Sequence, residues 1–361
     1  MKTLHVETGR HLYGGAQQVL YLTEGLTRRG VDTLLVCPPD SAIAPAARAL
    51  GVAVETIPCN GDLDVLFLSR LRRLLSRLRP DIVHCHSRRG ADILGGRAAA
   101  KEGIPAVVSR RVDNPDPPFL ARLRYRKFAR VVAISEAIRK ALLASGVPEE
   151  VIVVIRSAVD VDRFDEVADR QVLADTFDLP ADATVILSAA QLIPRKGQGL
   201  LLDALARLKP EYPNLRAVIC GQGPDEVALK WQAGQQGLSD IVRFGGFRDD
   251  LDEMLGAFDL LVHTASAEGL GVIALKAQAA GVPVVAFEAG GLPEIVNHAQ
   301  TGLLVPDADV SALASAIASL LDDTATRARY AKAARAHARA NLSTAPMIEA
   351  HLKLYRSLLN G

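Results

Sequence analysis

His263-Thr-Ala-Ser-Ala-Glu268-Gly-Leu-Gly271-Val-Ile-Ala-Leu-Lys276-Ala-Gln-Ala-Ala-Gly281-Val-Pro-Val-Val-Ala-Phe-Glu288-Ala-Gly290-Gly291-Leu-Pro293-Glu294 is the stretch whose reading decides the fold. Phe258-Asp-Leu-Leu-Val262, just before it, reads as a short buried strand. After Gly271 the apolar positions Val272, Leu275 and Ala279 fall at helical spacing, and Gly281 and Pro283 stop the helix. Val284–Phe287 is a second short strand, and Gly290-Gly291 is expected to open a loop ahead of a further helix. The order is strand, glycine turn, helix, twice over.

A Glu-Gly-Leu-Gly turn at a helix start leaves backbone N–H groups pointing outward with little side-chain bulk around them, which suits an anionic ligand. Glu268 adds a carboxylate that accepts hydrogen bonds from hydroxyl groups and repels phosphate. A ligand with a phosphate end and a polyol end, such as a sugar nucleotide, fits both features. The same turn is also explained by helix–strand packing, with Glu268 favouring a helix N-terminus. This stretch alone leaves both readings open.

Working outward, 361 residues suggest two domains. Hydrophobic residues make up 49% and aromatics only 4%, as in an alanine- and leucine-rich α/β protein. The formal net charge of +1 hides a split: residues 1–160 hold 24 Lys and Arg against 16 Asp and Glu, while 161–361 hold 18 against 25. The front half is therefore the one expected to meet something anionic. Cys37, Cys59, Cys85 and Cys220 form no Cys-x-x-Cys pair and read as buried thiols. There is no apolar run of signal-peptide or membrane-spanning type, so a cytoplasmic protein is expected.

Along the first 160 residues, strand candidates Leu4–Glu7, Asp32–Cys37, Ala53–Ile57, Ile82–Cys85, Ala106–Ser109, Arg130–Ile134 and Val151–Ile155 alternate with helices such as Ala16–Arg29, Leu66–Arg79 and Ser135–Ala144. The alternation resumes near residue 170 with Val185–Ala189, Leu200–Leu208, Ala217–Cys220, Pro224–Gln235 and Val242–Phe244. Such alternation means parallel sheets covered on both faces, with ligands at the carboxyl ends of the strands. The expected architecture is α/β: two doubly wound, Rossmann-like domains facing each other across a cleft, 1–168 and 169–344. Arg156–Asp169 is polar enough to be the link, and a helix from Ala345 is expected to return to the first domain.

Several further features need weighing. His84 and His86 in Asp81-Ile-Val-His84-Cys-His86 share one face of a strand, and a third ligand would make a metal site. No acidic or histidine partner stands out nearby, so no metal is expected. Leu66–Arg79 is a basic amphipathic helix with Arg70, Arg73 and Arg77 along one face, and Arg122–Arg130 adds a second basic patch. These read equally as attraction to anionic lipid head groups or as solvated faces of packed helices. No nucleic-acid module is visible. After the second domain's first strand, Lys196 beside Gly197 can reach a diphosphate as a compact charge. Glycine turns recur at Gly14-Gly15, Gly221-x-Gly223 and Gly245-Gly246.

The ordered series Gly14-Gly15-Ala16-Gln17, Asp81-Ile-Val-His84, Leu192-x-x-x-Lys196-Gly197, Gly221-x-Gly223-Pro224, Glu268-Gly-x-Gly271 and Gly290-Gly291-x-Pro293-Glu294 resembles the family-4 retaining glycosyltransferases of GT-B fold. The likeness spans essentially the whole chain. It implies a metal-independent hexosyltransferase of envelope polysaccharide or lipopolysaccharide type. A nucleotide-diphosphate sugar would serve as co-substrate and no other cofactor would be needed. The donor would sit mainly on the second domain, and a glycan or lipid-linked acceptor on the first, at the inner face of a membrane.

By the same resemblance Lys196 grips the diphosphate, Glu268 binds sugar hydroxyls, and the amides of Gly269, Leu270, Gly271 and Val272, with Gly15, hold phosphates and sugar. Gly221 belongs to the same donor site, and Phe247 and Arg248 lie near the base. The chain departs from the family in three places. Lys276 stands where a second glutamate usually grips the ribose, Gln191 replaces the usual arginine (with Arg195 a substitute charge), and Arg111 occupies the place of a cleft histidine. Two other functions fit less well. An epimerase or hydrolase would need Asp113, Asp116 or Glu288 as general acid–base groups, and a silent nucleotide-binding subunit is best supported by Lys276.

Overall fold

In the computed structural model, residues 1–88, 90–112 and 116–360 are described. Asp113, one of the acid–base candidates, lies outside them. The chain divides into two compact units, Met1–Ala158 with Thr344–Gly361, and Val159–Ser343.

The first unit is a seven-stranded parallel sheet of β1 (Lys2–Val6), β2 (Asp32–Cys37), β3 (Ala53–Thr56), β4 (Ile82–Cys85), β5 (Ala106–Arg110), β6 (Arg130–Ala133) and β7 (Ile152–Val154), in the order 3-2-1-4-5-6-7. The central strands β4, β5 and β6 are buried almost throughout, as a sheet covered on both faces requires. Helices α1 (Gly14–Arg28) and α2 (Ile43–Ala49) follow β1 and β2. The connections after β3, β4, β5 and β6 carry α3 (Val65–Leu78), α4 (Gly96–Lys101, entered by the π turn Ala91–Gly95), α5 (Pro118–Tyr125) and α6 (Glu136–Ala144). Right-handed crossovers put α3 to α6 on the face opposite α1 and α2. Asp64 and Ser135 cap α3 and α6, accepting from the amides of Phe67 and Ile138.

The second unit begins with α7 (Arg170–Phe177). Its six strands β8 (Thr184–Ala189), β9 (Leu215–Cys220), β10 (Val242–Gly246), β11 (Leu260–His263), β12 (Val284–Phe287) and β13 (Gly302–Val305) lie in the order 10-9-8-11-12-13, all parallel. Its helices are α8 (Gln198–Leu208), α9 (Glu226–Gln235), α10 (Leu251–Met254), α11 (Val272–Ala279), α12 (Val310–Asp322) and α13 (Thr324–His337). One cluster built on Leu201, Leu205, Ile219, Val262, Phe287 and Ile317 forms its core.

Two details differ from the sequence reading. The division falls after Ala158, not at 168, because Val159 is already bonded to the second unit: its amide donates to the Leu342 carbonyl at 2.8 Å. Arg335 likewise holds the carbonyl of Phe164. The helix expected after Gly290-Gly291 is absent. Only a 3-10 turn, Leu292–Glu294, forms, and side chains then take the backbone groups a helix would use. Gln278 donates to the Ile295 carbonyl and Thr301 accepts from the Asn297 amide.

The last helix, α14 (Thr344–Leu359), belongs to the first unit. Met347, Ile348, Leu352 and Tyr355 close a cluster with Tyr21, Leu22 and Leu26 of α1. Gly25 makes this fit possible, since a Cβ there would stand 2.1 Å from Ile348 Cδ1.

Beneath that helix lies a buried histidine group. His5 pairs in register with His84 across β1 and β4, and the ring nitrogens of His5, His84 and His86 lie within 4.8 Å of one another. The sequence reading found no histidine partner for His84 and His86. His5 is that partner, brought beside them because β1 and β4 are neighbours.

Donors and acceptors in the group follow from chemistry. Thr33 gives its proton to the Val31 carbonyl and accepts from Thr3. Thr3 therefore accepts from His5 Nε2, and His5 Nδ1 accepts from His86 Nε2 at 3.0 Å. His86 Nδ1 is left as a buried lone pair without a partner among the described residues. His84 is bonded to Tyr355 at 2.6 Å and to Ser109 at 2.9 Å.

Burial, with neighbouring positive charge adding to it, lowers His5 to about 3 and His351 to about 4, and holds His84 and His86 well below the ordinary value. These rings are neutral in the fold, while the unfolded chain binds protons below about pH 6.5. Their contribution is therefore complete above that pH and is lost as pH falls toward the folded values. Each ring should cost about 1.4 kcal/mol by pH 5.5. The melting temperature should drop steeply between pH 7 and 5, and His351→Leu should make the drop shallower. A flat pH profile of thermal melting would contradict the neutral assignment.

Candidate functional site

In both sheets the strand order reverses once, between β1 and β4 in the first unit and between β8 and β11 in the second. A crevice opens where the connections from adjacent strands diverge to opposite faces. The segments that leave β8 and β11 carry Lys196 and Glu268, so the second unit's reversal brings these two side chains together.

Lys196 Nζ lies 2.5 Å from Glu268 Oε2, and His263 Nε2 lies 2.9 Å from the same oxygen. Glu268 Oε1 accepts from the Gly269 amide at 3.1 Å. Burial alone would raise this carboxyl. The hydrogen bond and charge of His263, with the charge of Lys196, outweigh it and hold the carboxyl well below the ordinary range. The site is a carboxylate with three donors and one ammonium, nearly out of solvent.

His263 is the residue the sequence reading missed. It opens the quoted stretch, and as the last residue of β11 it sits at the carboxyl end of a central strand. That placement was the available signal.

The glycine turns surround this pair and hold its backbone. Gly290 has φ +55, and a Cβ there would stand 2.0 Å from the Glu268 carbonyl. The Gly291 amide donates to that same carbonyl at 2.9 Å. Gly197 has φ +66 and lies as close to the Thr264 carbonyl. These glycines thus press the turns after β8, β11 and β12 onto one another, which fixes where Glu268 and Lys196 can be. Gly271, in the left-handed region, begins α11, and Gly269, Leu270 and Val272 flank it beside Glu268.

The other donor-side candidates are placed as follows. Arg195 is exposed and donates to the Ala267 carbonyl at 3.4 Å, so its charge lies along the Glu268 turn. Gln191 is exposed, with its carbonyl bonded to Gln198. Gly221 packs against the Ala190 carbonyl. Phe247 is exposed, while Arg248 is paired with Asp250 and stacked over Phe177. Lys276 lies on α11 and is bound at 2.8 Å to both oxygens of Asp252. Two of its three donors are taken, which leaves one for a ligand.

Arg111 and Gly15 are in the first unit, after β5 and at the start of α1. They are neighbours: a Cβ on Gly15 would stand 3.4 Å from Arg111 Cδ. Burial lowers Arg111 to about 10, against the opposing pull of Glu7. Its Nε has no partner among the described residues, and neither do Ser157 Oγ and His351 Nε2, which line the same small pocket with Gln18 and Ser109. His351 Nδ1 donates to the Met347 carbonyl, so Nε2 is a lone pair. Donors and acceptors thus stand ready at the carboxyl ends of this sheet.

The acid–base candidates are differently placed. Asp116 is buried and held by Arg88 at 2.6 Å and Arg124 at 3.0 Å, with Arg110 at 3.5 Å. Glu288 is exposed. Asp116 is thus taken up by arginines and is not a free carboxylate.

Residues 13–163 match the family model described as glycosyltransferase family 4, and residues 169–337 the model described as glycosyl transferases group 1. A lipopolysaccharide core biosynthesis glycosyltransferase, LpsE, of Rhizobium meliloti is 28% identical over 99% of both chains. A D-inositol 3-phosphate glycosyltransferase of Saccharomonospora viridis is 30% identical over 92% of this chain and 86% of its own. The structure of Anabaena Alr3699/HepE in complex with UDP-glucose shares the fold, with a TM-score of 0.87 at 24% identity over 99% of this chain and 100% of the other. With the paired Lys196 and Glu268 at a strand-order reversal, and with both halves matched in order, this chain belongs to the family-4 glycosyltransferases of GT-B fold.

Proposed function

We propose that the protein is a retaining, metal-independent glycosyltransferase that moves a hexose from a nucleotide-diphosphate sugar to a glycan or lipid-linked acceptor of envelope polysaccharide. The observation that carries this reading is the contact of Lys196 with Glu268 at the head of α11. An arriving diphosphate competes with Glu268 for the ammonium. When Lys196 turns to the phosphates, Glu268 keeps His263 and the Gly269 amide as donors and stays in place to accept from sugar hydroxyls. Gly271 and Val272 present helix-start amides to the same charge.

Departure of the diphosphate is then eased by positioning and by charge stabilisation. The leaving phosphate takes the acceptor proton on the same face, so no protein nucleophile is required. The UDP-glucose bound by the Anabaena protein supports the donor class, and the lipopolysaccharide and inositol-phosphate relatives support a polyol acceptor. Arg111, with its buried Nε unpartnered among the described residues, and the excess of basic side chains in the first half of the chain support acceptor binding on the first unit. An acceptor carried on lipid would bring the protein to the cytoplasmic face of a membrane. Among the described residues no helix is long and apolar enough to cross one.

A panel of nucleotide sugars with and without acceptor tests the activity. Transfer is expected with acceptor; donor conversion without it would instead indicate an epimerase or hydrolase. Lys196→Ala should lower kcat/KM about 100-fold or more, as losing a charge partner of the leaving group does. Retention of wild-type turnover would remove Lys196 from the reaction. His263→Ala should weaken sugar discrimination more than nucleotide binding, because Glu268 loses the donor that keeps it oriented. An equal loss of binding for UDP and UDP-glucose would count against that role. Lys276→Ala should cost about 1–3 kcal/mol by taking from Asp252 its two shortest hydrogen bonds, read as a lower melting temperature, with at most a few-fold change in donor affinity. A donor loss as large as that of Lys196→Ala would make Lys276 a principal ligand.

A further inference from the structure

Fifteen large apolar side chains are exposed among the described residues, and six of them lie in two places, around the start of α3 and on α5. Leu63 is 92% exposed, Leu66 60% and Phe119 76%; Val65, Leu120 and Leu123 complete the set. Both helices are on the same face of the first unit, and both pack on the π turn Ala91–Gly95.

The exposure is built in. Leu63 sits between two anchored aspartates: Asp62 accepts from the Gly90 amide at 2.6 Å, and Asp64 from the amides of Asn60 and Phe67 at 2.9 Å. On α5, Ala121 and Tyr125 face inward, and Arg124 is tied to Asp92 and Asp116. Helical geometry then turns Phe119 and Leu123, four residues apart, to the outside. A solvated helix face would carry polar side chains there.

Charge accompanies the apolar residues. Arg73 on α3 and Arg122, Arg126 and Lys127 on α5 and just beyond it are exposed. None of the four is in an ion pair among the described residues. Acidic groups close by in sequence, Asp62, Asp64, Asp81 and Asp116, are engaged by amides or by arginines. Exposed apolar side chains with unpaired cations on or beside the same two helices suit one occupant, the head-group layer of an anionic bilayer, where apolar groups enter and cations meet phosphates.

We propose that this face of the first unit docks on anionic membrane, with Leu63, Leu66, Phe119 and Leu123 entering the interface and Arg73, Arg122, Arg126 and Lys127 meeting the head groups. The proposal rests on the reading of a lipid-linked acceptor and names the surface that would bring the enzyme to it.

The test is sedimentation of the full chain with vesicles of phosphatidylcholine alone and of phosphatidylcholine with phosphatidylglycerol. Binding is expected only with phosphatidylglycerol, and it should weaken as salt rises. Arg73→Gln with Arg122→Gln should lower partitioning by about fivefold per residue. Leu66→Ser with Phe119→Ser should lower it at least as much. Circular dichroism and nucleotide-sugar binding should be unchanged in both, since none of these residues is in the donor site. Equal binding to neutral vesicles, binding insensitive to both pairs of changes, or a dimer on size exclusion that Phe119→Ser dissolves would each overturn the proposal. Vesicle binding without sugar transfer would count against the transferase reading and leave this surface standing.

Discussion

Glu268 is nearly buried and ionised, and everything around it follows from that constraint. A carboxylate out of water needs charge and hydrogen bonds in compensation. Lys196, His263 and the Gly269 amide provide them, each from a different part of the backbone. Bringing three such groups to one oxygen pair requires the turns after β8 and β11 to approach within bonding distance. Only glycine at 197, 290 and 291 permits that approach. The motif glycines are therefore as much a packing device as a phosphate cradle.

The same logic explains the departure at position 276. A lysine on α11 is a half-buried cation in need of a partner, and Asp252 on α10 supplies one through both oxygens. Arg163 also approaches the same carboxylate, at 3.7 Å. A change that would be disruptive alone is thus accommodated by a partner only 24 residues away.

How far the sequence discloses this structure depends on the range of the interaction. Parallel strands and the helices between them are legible because burial on both faces imposes continuous apolar runs such as Ile82–Cys85 and Val284–Phe287. Lys196 and Glu268 stand out because each follows a strand beside a glycine. What stays hidden is adjacency between distant strands. His5 is unremarkable until β1 lies next to β4, and Asp252 gives no sign of facing Lys276. The missing helix after Gly291 fails for a related reason, since one of the side chains that claim its backbone groups, Gln278, lies on α11. His263 was visible yet unassigned, because a histidine ending a strand has no distinctive spacing.

The return of α14 to the first unit has a bearing on biosynthesis. On the ribosome the first sheet emerges whole, yet Tyr21, Leu22 and Leu26 face water until Met347 through Tyr355 follow, after all of the second unit has been made. The nascent first unit therefore waits with an open apolar seam until the end of the chain has been made.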